Sequence, residues 1–376
     1  MLLHVAWRIL VDQKGRTALA TGGIFIAILL VFIELGFFVA VPQGGMLIYD
    51  HMRFDLLVCS NRYRFQGQSG QFPRARLAAA MTIPEVAQAS PVYLGGGKWQ
   101  DVSGGLRIDV SVVGLDPRAE VFAVPDIEGQ QAVLERPDTL LVDDASRSLF
   151  GPLQTGRVVD IAGRRMTIGG TYKLGTGFLG LGIAIASEAN FFRTFPERPP
   201  DTVNLGLVNL KPGADPDHAA QALRAILPAD TQVFTRPELV AHEVAYWTTR
   251  TATGLIFGSG LVVAFVVGIM VLYQTLATQI TRQLPQFATL KAIGYGNRYL
   301  EAIVLIESFL ITAVAFGPAL GAALGVYALV RSETLLPLAL TAPQLGTVFA
   351  ITLVMAAASA FLSLSVLRRA DPAEIF

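Results

Sequence analysis

The sequence predicts an α-helical membrane protein with four transmembrane helices plus a mixed α/β external domain. Composition is the first reason, because only 15% of the 376 residues are charged and 52% are apolar, whereas soluble domains carry about 25% charged residues. Distribution is the second, because 42 of the 58 charged residues lie between positions 42 and 250. The remaining chain is therefore too apolar for a purely soluble protein.

Apolar segments of membrane-spanning length lie on both sides of the charged region. A helix that rises ~1.5 Å per residue needs about 20 residues to cross a ~30 Å hydrocarbon layer. Residues 17–41, 251–281, 303–330 and 345–367 all reach that length, and only Glu34 and Glu307 interrupt them with charge. A signal peptide is the alternative for the first segment, but its apolar run exceeds the roughly 7–15 residues typical of one. We favour an uncleaved anchor.

Lysine and arginine in short loops mark the cytoplasmic side of a membrane protein. They occur here in the N-terminal segment, in the loop after the second span and in the C-terminal tail, which places both termini in the cytoplasm. The expected order is a cytoplasmic amphipathic helix (1–16), the first span (17–41), the external α/β domain (42–250), the second span (251–281), a cytoplasmic loop (282–298), the third span (299–330), a short external loop (331–344), the fourth span (345–367) and a cytoplasmic tail (368–376).

The external domain alternates apolar runs of strand length with helical patterns, which is typical of a mixed α/β fold. Helices are expected at 73–81 and 216–227, a hairpin turn at 162–164, and loops at 95–97 and 198–201. Strands are expected at 56–59, 106–113, 139–142, 157–161, 166–171, 183–186 and 203–208.

The last helix of this domain is predicted to run directly into the second span. Thr235 and Glu238 have the spacing of a capping box at its start, and Tyr246 and Trp247 fit an interfacial aromatic belt. A continuous helix over 236–281 would be a rod of ~69 Å at ~1.5 Å per residue. We therefore predict a transmission stalk that includes these four residues, with a passive tether as the alternative.

Several function classes are excluded by the sequence. The 29 basic residues balance the 29 acidic ones, so the surplus of positive charge that nucleic-acid binding requires is missing. The single cysteine, Cys59, cannot form an internal disulfide or a cysteine-based zinc site and is expected to be a buried thiol. The glycines at 175, 177 and 180 match a dinucleotide motif without its strand–helix context. No catalytic, cofactor-binding or metal-ligating set is predicted.

Two features of the spans remain open between structural and functional explanations. Glu34 and Glu307 are expected to make polar contacts between helices, with a proton relay as the alternative. Gly317, Gly321 and Gly325 form a repeat of small residues that allows helices to approach closely. The repeat predicts helix packing within one chain or between two copies.

The strongest functional pattern lies in the cytoplasmic loop. Residues 283–295 predict a short helix, with Pro285 in its first turn and Gly294 at its C-terminal end. Phe287, Leu290 and Ile293 would have no lipid to contact below the membrane. A soluble cytoplasmic partner protein is therefore expected to cover them.

The sequence resembles the permeases of the MacB/FtsX group of ABC exporters, and within that group the DevC-type permeases. The resemblance covers nearly the whole chain, including the four-span layout. It is carried by the strings at 54–58 (FDLLV), 112–117 (VVGLDP), 204–207 (NLGL), 210–215 (LKPGAD), 246–247 (YW), 288–295 (ATLKAIGY) and 370–376 (ADPAEIF).

The resemblance implies a non-catalytic permease subunit of a tripartite efflux system in the bacterial inner membrane, whose external domain is periplasmic. Its implied partners are a second copy of itself, a cytoplasmic ABC ATPase that binds ATP and Mg, a periplasmic membrane-fusion adaptor and a TolC-like outer-membrane duct. The coupling helix implied for the ATPase contact includes Leu284, Pro285, Gln286, Phe287, Leu290, Lys291, Gly294 and Tyr295. Gln286 departs from the acidic residue usual in the family. An FtsX-like regulator of a periplasmic cell-wall hydrolase and a proton-driven transporter are the alternatives.

Overall fold

The computed structural model describes residues 14–146, 148–175, 181–334, 336 and 338–368. These residues form two compact units, each with its own core. A helical unit contains residues 14–40, 252–334 and 338–368, and an α/β unit contains residues 41–251. Most of the predicted amphipathic N-terminal helix, with Leu3, Trp7 and Leu10, lies outside the described residues.

The described helices are, in chain order, α1 (Lys14–Asp50), α2 (Ala75–Ala80), α3 (Pro125–Glu128), α4 (Gln131–Leu134), α5 (Glu188–Thr194), α6 (Pro216–Ile226), α7 (Arg236–Thr249), α8 (Ala252–Ala292), α9 (Asn297–Thr334) and α10 (Ala342–Arg368). The strands are β1 (Leu56–Ser60), β2 (Phe72–Pro73), β3 (Val86–Asp101), β4 (Ile108–Leu115), β5 (Thr139–Asp143), β6 (Val158–Ile161), β7 (Arg164–Tyr172), β8 (Ile183–Ser187), β9 (Thr202–Val203), β10 (Leu205–Leu210) and β11 (Thr231–Thr235).

Within the described residues, four helices are long and apolar enough to cross a membrane, which agrees with the predicted number of spans. They are α1, α8, α9 and α10. The longest, α8, has 41 residues and measures ~61 Å at ~1.5 Å per residue. That length is about twice the ~30 Å hydrocarbon layer, so a large part of α8 lies outside the hydrocarbon.

The helical unit is held together by apolar packing and by hydroxyl groups that bond to neighbouring backbones. Ile28, Leu272, Ala319 and Met355 bring all four long helices into one core. The Oγ of Ser359 on α10 donates to the carbonyl of Ile269 on α8 at 3.0 Å. Such bonds satisfy polar groups that would be costly to leave unpaired in a lipid-like interior.

The α/β unit is built on a nine-stranded mixed sheet in the order β11-β1-β10-β3-β4-β8-β5-β7-β6. The 16-residue β3 organises it, since its first half pairs with β10 and its second half with β4. The last residues of β3 also pair with β6. Strands β3, β4, β8, β5, β7 and β6 therefore form a closed ring. Apolar side chains cover both faces of this sheet. In β1, for example, Leu56 packs in the core on one face and Leu57 in the core on the other, because successive side chains of a strand point to opposite faces.

The predicted strands are all present, with ends that differ by up to two residues. The predicted hairpin is confirmed, because Ala162 and Gly163 join β6 to β7 with positive φ angles of 54° and 84°. The predicted helices appear as α2 and α6. Cys59 is a fully buried free thiol, as expected.

The predicted loop at 95–97 is wrong, since these glycines lie inside β3. The reason is tertiary packing: a Cβ on Gly95 would come within 2.8 Å of the Phe195 ring, and one on Gly114 of β4 within 2.6 Å of Phe191. The glycines therefore leave room for aromatic rings from α5 and the residue after it. The local sequence does not reveal this packing, because glycines by themselves disfavour a strand.

Candidate functional site

The predicted coupling segment is the end of α8 and not a separate helix. The helix continues without interruption from the membrane-length region to Ala292, and Pro285 lies inside it. This corrects the expectation of a short helix that begins near Pro285. Proline removes one backbone hydrogen bond but still fits a helix that is held by other contacts, and the carbonyl of Pro285 is satisfied by the Oγ1 of Thr289 at 2.9 Å.

Gly294 ends this helix as the sequence predicts. Its φ is +104°, its N–H donates to the carbonyl of Lys291, and the N–H of Tyr295 donates to the carbonyl of Leu290. These two bonds form a Schellman motif, in which glycine supplies the left-handed conformation. The chain therefore reverses sharply at a defined point beyond the membrane-length helix.

Phe287 does not need a partner protein to cover it, contrary to the sequence-based expectation. Its side chain is 3% exposed and belongs to a cluster with Leu276, Leu300 and Ala360 of the chain itself. Leu284 and Leu290 are partly buried against the same cluster. The apolar spacing in this segment thus reflects packing among α8, α9 and α10.

The exposed residues of the segment form a different set. Ile293 is 70% exposed, the largest apolar exposure near the helix end, and Pro285 and Gln286 are also exposed while Lys291 is half-buried. Tyr295 is 36% exposed and its ring lies 4.5 Å from that of Tyr299. We call Pro285, Gln286, Ile293, Gly294 and Tyr295 the helix-end surface.

The predicted stalk begins at the capping box that the sequence indicates. The N–H of Thr235 donates to the Oε2 of Glu238 at 2.8 Å, and the reciprocal contact is also present. Burial alone would raise the pKa of Glu238, but the Thr235 N–H and the Arg224 guanidinium hold this pKa below its ordinary value. The start of α7 is therefore well defined.

The continuous rod over 236–281 is wrong. Helix α7 ends at Thr249, Arg250 is its C-cap with φ −115° and ψ −4°, and α8 begins at Ala252. The sequence between them lacks glycine and proline, so no local signal marks this interruption. Two helices joined at Arg250–Thr251, and not one rigid helix, connect the α/β unit to the second membrane-length segment.

Tyr246 and Trp247, which the sequence analysis expects in an interfacial belt, make ring contacts within the α/β unit. Tyr246 stacks on Phe65 with ring centroids 4.9 Å apart, and Trp247 meets the same ring edge-on at 5.3 Å. The indole N–H of Trp247 donates to the Oε2 of Glu243 at 3.1 Å. Both rings therefore have partners inside the domain.

Glu243 is the functional-site candidate that the sequence did not reveal. It is fully buried in the middle of α7 and accepts hydrogen bonds from the hydroxyl of Tyr63 and the indole of Trp247. Burial raises the pKa of Glu243 to about 7 because these bonds compensate the desolvation only in part. One feature of the sequence could have indicated that Glu243 is buried: it lies four residues from both Leu239 and Trp247, and therefore on the same face of α7.

Arg236, another residue that the sequence did not single out, fastens the start of α7. Its guanidinium donates to the carbonyls of Tyr49 at 3.0 Å and Met52 at 2.6 Å and lies 4.6 Å from the centroid of the Phe54 ring. Arginine suits this role because its planar group can donate several bonds while stacking on an aromatic face. The C-terminal end of α1 is thereby tied to α7.

The glycine repeat of α9 faces outward. Gly317, Gly321 and Gly325 are exposed, and a Cβ on any of them would meet no atom of the described chain within 4 Å. The neighbouring Ala315, Ala319 and Ala323 are buried in the helical core on the opposite side. Packing of the repeat within one described chain, one of the two predicted alternatives, is therefore ruled out.

The two acidic residues of the spans lie in different environments. Glu307 is 1% exposed, and its Oε1 has no hydrogen-bond partner among the described residues. Glu34 is half-buried, its Oε2 likewise has no described partner, and it lies beside Gly260 of α8. The expected polar contacts between helices are thus not made by these two oxygens in the described part of the chain.

Taken together, the fold and these sites define a membrane protein with a large α/β domain between its first and second membrane-length helices. Two family models match this layout: the MacB-like periplasmic core domain over residues 17–226 and the FtsX-like permease C-terminal region over residues 258–372. The first alone covers more than half of the chain. The chain belongs to the MacB/FtsX group of ABC transporter permeases.

Two solved structures of low sequence identity match part of the chain. The periplasmic region of MacB from Actinobacillus actinomycetemcomitans is 10% identical, with a TM-score of 0.38, and the match covers 50% of this chain and 91% of that one. The extracellular domain of the noncanonical ABC-type transporter YknZ from Gram-positive bacteria is 12% identical, with a TM-score of 0.34, and the match covers 48% and 99%. No curated protein matches the sequence closely enough to count as a relative.

Proposed function

We propose that this chain is the DevC-type permease subunit of a tripartite ABC efflux system. In this proposal a separate cytoplasmic ATPase binds ATP and Mg, and the permease transmits its conformational changes to the periplasmic α/β domain. A membrane-fusion adaptor and a TolC-like outer-membrane duct complete the path. Membership of the MacB/FtsX group supports the ATPase partner in general, whereas the adaptor and duct follow from the resemblance to DevC-type sequences.

The observation that carries the proposal is the length of α8 together with its exposed end. Its 41 residues exceed by about twofold what the ~30 Å hydrocarbon layer requires. The helix-end surface lies at the end of α8 that is farther along the chain from the α/β domain, and it includes the Schellman turn. An exposed isoleucine and tyrosine at a helix end suit contact with a soluble protein.

The same proposal assigns a role to the junction at Arg250–Thr251. When the ATPase closes, it moves the helix-end surface, and α8 carries that motion to the junction. Because α7 is a separate helix there, the periplasmic domain can respond by a change of angle at two residues. The proposed stalk is therefore jointed rather than a single rod.

A homodimer is the third part of the proposal. The glycine repeat of α9 is exposed and free of contacts within the described chain. Small residues at intervals of four allow two helix backbones to approach closely in a membrane. A second copy of this chain is the partner that fits the repeat, with one ATPase per copy.

The proposed orientation follows the positive-inside pattern. Both termini and the helix-end surface lie in the cytoplasm, and residues 42–250 lie in the periplasm of the bacterial inner membrane. Protease protection in intact spheroplasts tests this layout. Cleavage within the α/β domain from outside is expected, and a fully protected domain would contradict the orientation.

The decisive experiment isolates the full chain from its native membrane and measures ATP hydrolysis in the purified complex. We expect vanadate-sensitive hydrolysis by a second chain that photolabels with azido-ATP. Ile293→Glu should reduce the recovered hydrolysis at least tenfold, while the matched control Ile293→Leu should retain it. Equal hydrolysis in both variants would overturn the coupling assignment.

The partners recovered in that experiment also separate the alternatives. Recovery of a membrane-fusion adaptor supports export, whereas recovery of a periplasmic cell-wall hydrolase in its place would favour the FtsX-like regulator. A double variant, Glu34→Gln with Glu307→Gln, tests the proton-driven transporter. Retained ATP-driven activity in this variant is expected, and its loss would favour proton coupling.

A further inference from the structure

The α/β domain contains an open cleft with a volume of about 930 Å³, which falls within the range of pockets that hold small molecules. One wall is the segment 60–71, which includes a short 3-10 turn at Gln66–Gln68. The floor is formed by residues 94–96 of β3 and 111–113 of β4. Glycine at positions 95 and 96 keeps part of this floor free of side chains.

Aromatic rings form one part of the cleft wall. Phe65 and Trp247 both line it, with ring centroids 5.3 Å apart in an edge-to-face arrangement. Tyr246 stacks on Phe65, with the two ring centroids 4.9 Å apart. The two lining rings are held in place by packing and offer a preformed apolar surface to a ligand.

Positively charged and amide groups form another part, centred on Asn204. Its Nδ2 donates to the Oγ of Ser69 and to the carbonyl of Gly70, and its Oδ1 accepts from a guanidinium N–H of Arg198 at 2.6 Å. Arg62 lies beside Gly70, since a Cβ on that glycine would be 3.6 Å from the Cβ of Arg62. Both arginines line the cleft, Arg62 beside Gly70 and Arg198 on the Asn204 side chain that bonds to Gly70.

The two arginines of the cleft form no ion pair within the described chain. Among the described residues, neither Arg62 nor Arg198 has a carboxylate within ion-pair distance. The acidic residue that lines the cleft, Asp230, is already paired with Arg76 at 2.9 Å. Desolvation lowers the pKa of Arg198, and the nearby Glu197 carboxylate offsets this effect only in part.

Gln66 adds a buried polar group with no partner. It is 2% exposed and lines the cleft, and neither its Nε2 nor its Oε1 has a hydrogen-bond partner in the described chain. A buried amide left without hydrogen-bond partners destabilises the fold. Such a group calls for a partner beyond the described chain, either an ordered water or a ligand that the side chain turns to meet.

We propose that this cleft binds an organic anion that carries an aromatic or other apolar group. The apolar part packs against Phe65 and Trp247, the anionic group lies between the guanidinium groups of Arg62 and Arg198, and the Gln66 amide bonds to a polar atom of the ligand. Identifying this ligand as exported cargo rests on the function proposed above, whereas the binding itself does not.

The test uses the full chain in phosphatidylcholine nanodiscs, without any ATPase, and isothermal titration calorimetry. The probes are 1-naphthyl phosphate and, as a cation of similar shape, 1-naphthylmethylammonium, with empty nanodiscs subtracted. We expect saturable binding of the phosphate and none of the ammonium ion. Binding of both probes with equal affinity, or of neither, would overturn the proposal.

Three variants and a control localise the binding. The double variant Arg62→Gln with Arg198→Gln should weaken the affinity for naphthyl phosphate at least tenfold, and Arg62→Gln alone should weaken it at least threefold. The single variant should leave the fold intact, because the guanidinium of Arg62 makes no described contact. Gln66→Leu should weaken it severalfold while leaving the melting temperature unchanged or higher. The control Arg107→Gln, an exposed arginine outside the cleft, should bind as the parent does. Unchanged affinity in the double variant and in Arg62→Gln would contradict the site.

One further arm distinguishes the source of the anion. The titration is repeated in nanodiscs that contain phosphatidylglycerol. A weaker apparent affinity for naphthyl phosphate identifies an anionic bilayer lipid as a competing occupant, and an unchanged affinity identifies a soluble organic anion. Because no ATPase is present, a failure of the export proposal would leave these binding results unaffected.

Discussion

The hydroxyl of Tyr63 donates a hydrogen bond to the carboxylate of Glu243, although 180 positions separate the two residues along the chain. Tyr49, near the end of α1, lies 2.8 Å from the same hydroxyl, and Trp247 reaches the other carboxylate oxygen. A buried acid in the helix before the Arg250–Thr251 junction is thus tied to two other parts of the domain. Its protonation state contributes directly to the stability of this region.

We expect the domain to be less stable at pH 8 than at pH 5 on account of Glu243. The pKa of this carboxyl is about 7 in the folded chain and about 4.3 in an unfolded one. Between these values the folded state holds a proton that the unfolded state has lost, so stability falls as the pH rises, by up to about 3 kcal/mol. Above pH ~7 the effect is complete and no further loss follows.

Glu243→Gln should remove this dependence, because an amide keeps hydrogen bonds to Tyr63 and Trp247 without a charge. Thermal unfolding of the full chain, followed by tryptophan fluorescence across the pH range, measures it. The control Glu120→Gln replaces an exposed carboxylate and should retain the parental pH dependence. If Glu243→Gln and the parent lose stability in parallel as the pH rises, Glu243 is not the group responsible.

Gly114→Ala should destabilise the α/β domain by about 1–3 kcal/mol, the usual cost of overpacking a core. The added Cβ would lie 2.6 Å from Cγ of Phe191, closer than carbon atoms approach. Gly96→Ala in the paired strand is the matched control, because its Cβ would meet no atom within 4 Å. Denaturant unfolding of both variants measures the difference, and equal midpoints would contradict the packing role.

Phe287→Ala should destabilise the helical unit, whereas Ile293→Ala should leave its stability within about 0.5 kcal/mol of the parent. Phe287 is buried in the cluster of α8, α9 and α10, and removing a buried phenylalanine costs about 3–5 kcal/mol in soluble cores. Ile293 is exposed in the isolated chain. Melting temperatures in detergent distinguish the two, and a similar loss in both would show that Ile293 is packed as well.

Gly321→Leu should abolish self-association without unfolding the chain. The new side chain has open space within its own chain but would separate two helix backbones that meet at the repeat. Gly346→Leu in α10 is the control, since that glycine is also exposed and without contacts. Mass photometry in nanodiscs counts the copies, and a dimer that survives Gly321→Leu would place the interface elsewhere.

Properties that depend on neighbours in sequence were predictable. The four spans follow from uninterrupted apolar length, the start of α7 from the capping pair Thr235 and Glu238, and the end of α8 from Gly294. In each case the deciding interaction lies within a few residues along the chain. The hairpin at Ala162–Gly163 belongs to the same class.

The errors involve contacts across long sequence distances. Gly95 lies in a strand whose neighbouring space is filled by Phe195, and Phe287 is covered by α9 and α10. The interruption at Arg250 has no glycine or proline to signal it.

Hydropathy and local capping were therefore sufficient to establish a four-span protein with one inserted α/β domain, since a hydrocarbon layer imposes a length that can be read residue by residue. The position of the buried acid, the exposed end of α8 and the arginine-lined cleft emerged only once the chain was folded. They arise from side chains that are far apart in sequence, and only the folded chain brings these groups into contact or leaves them without a partner.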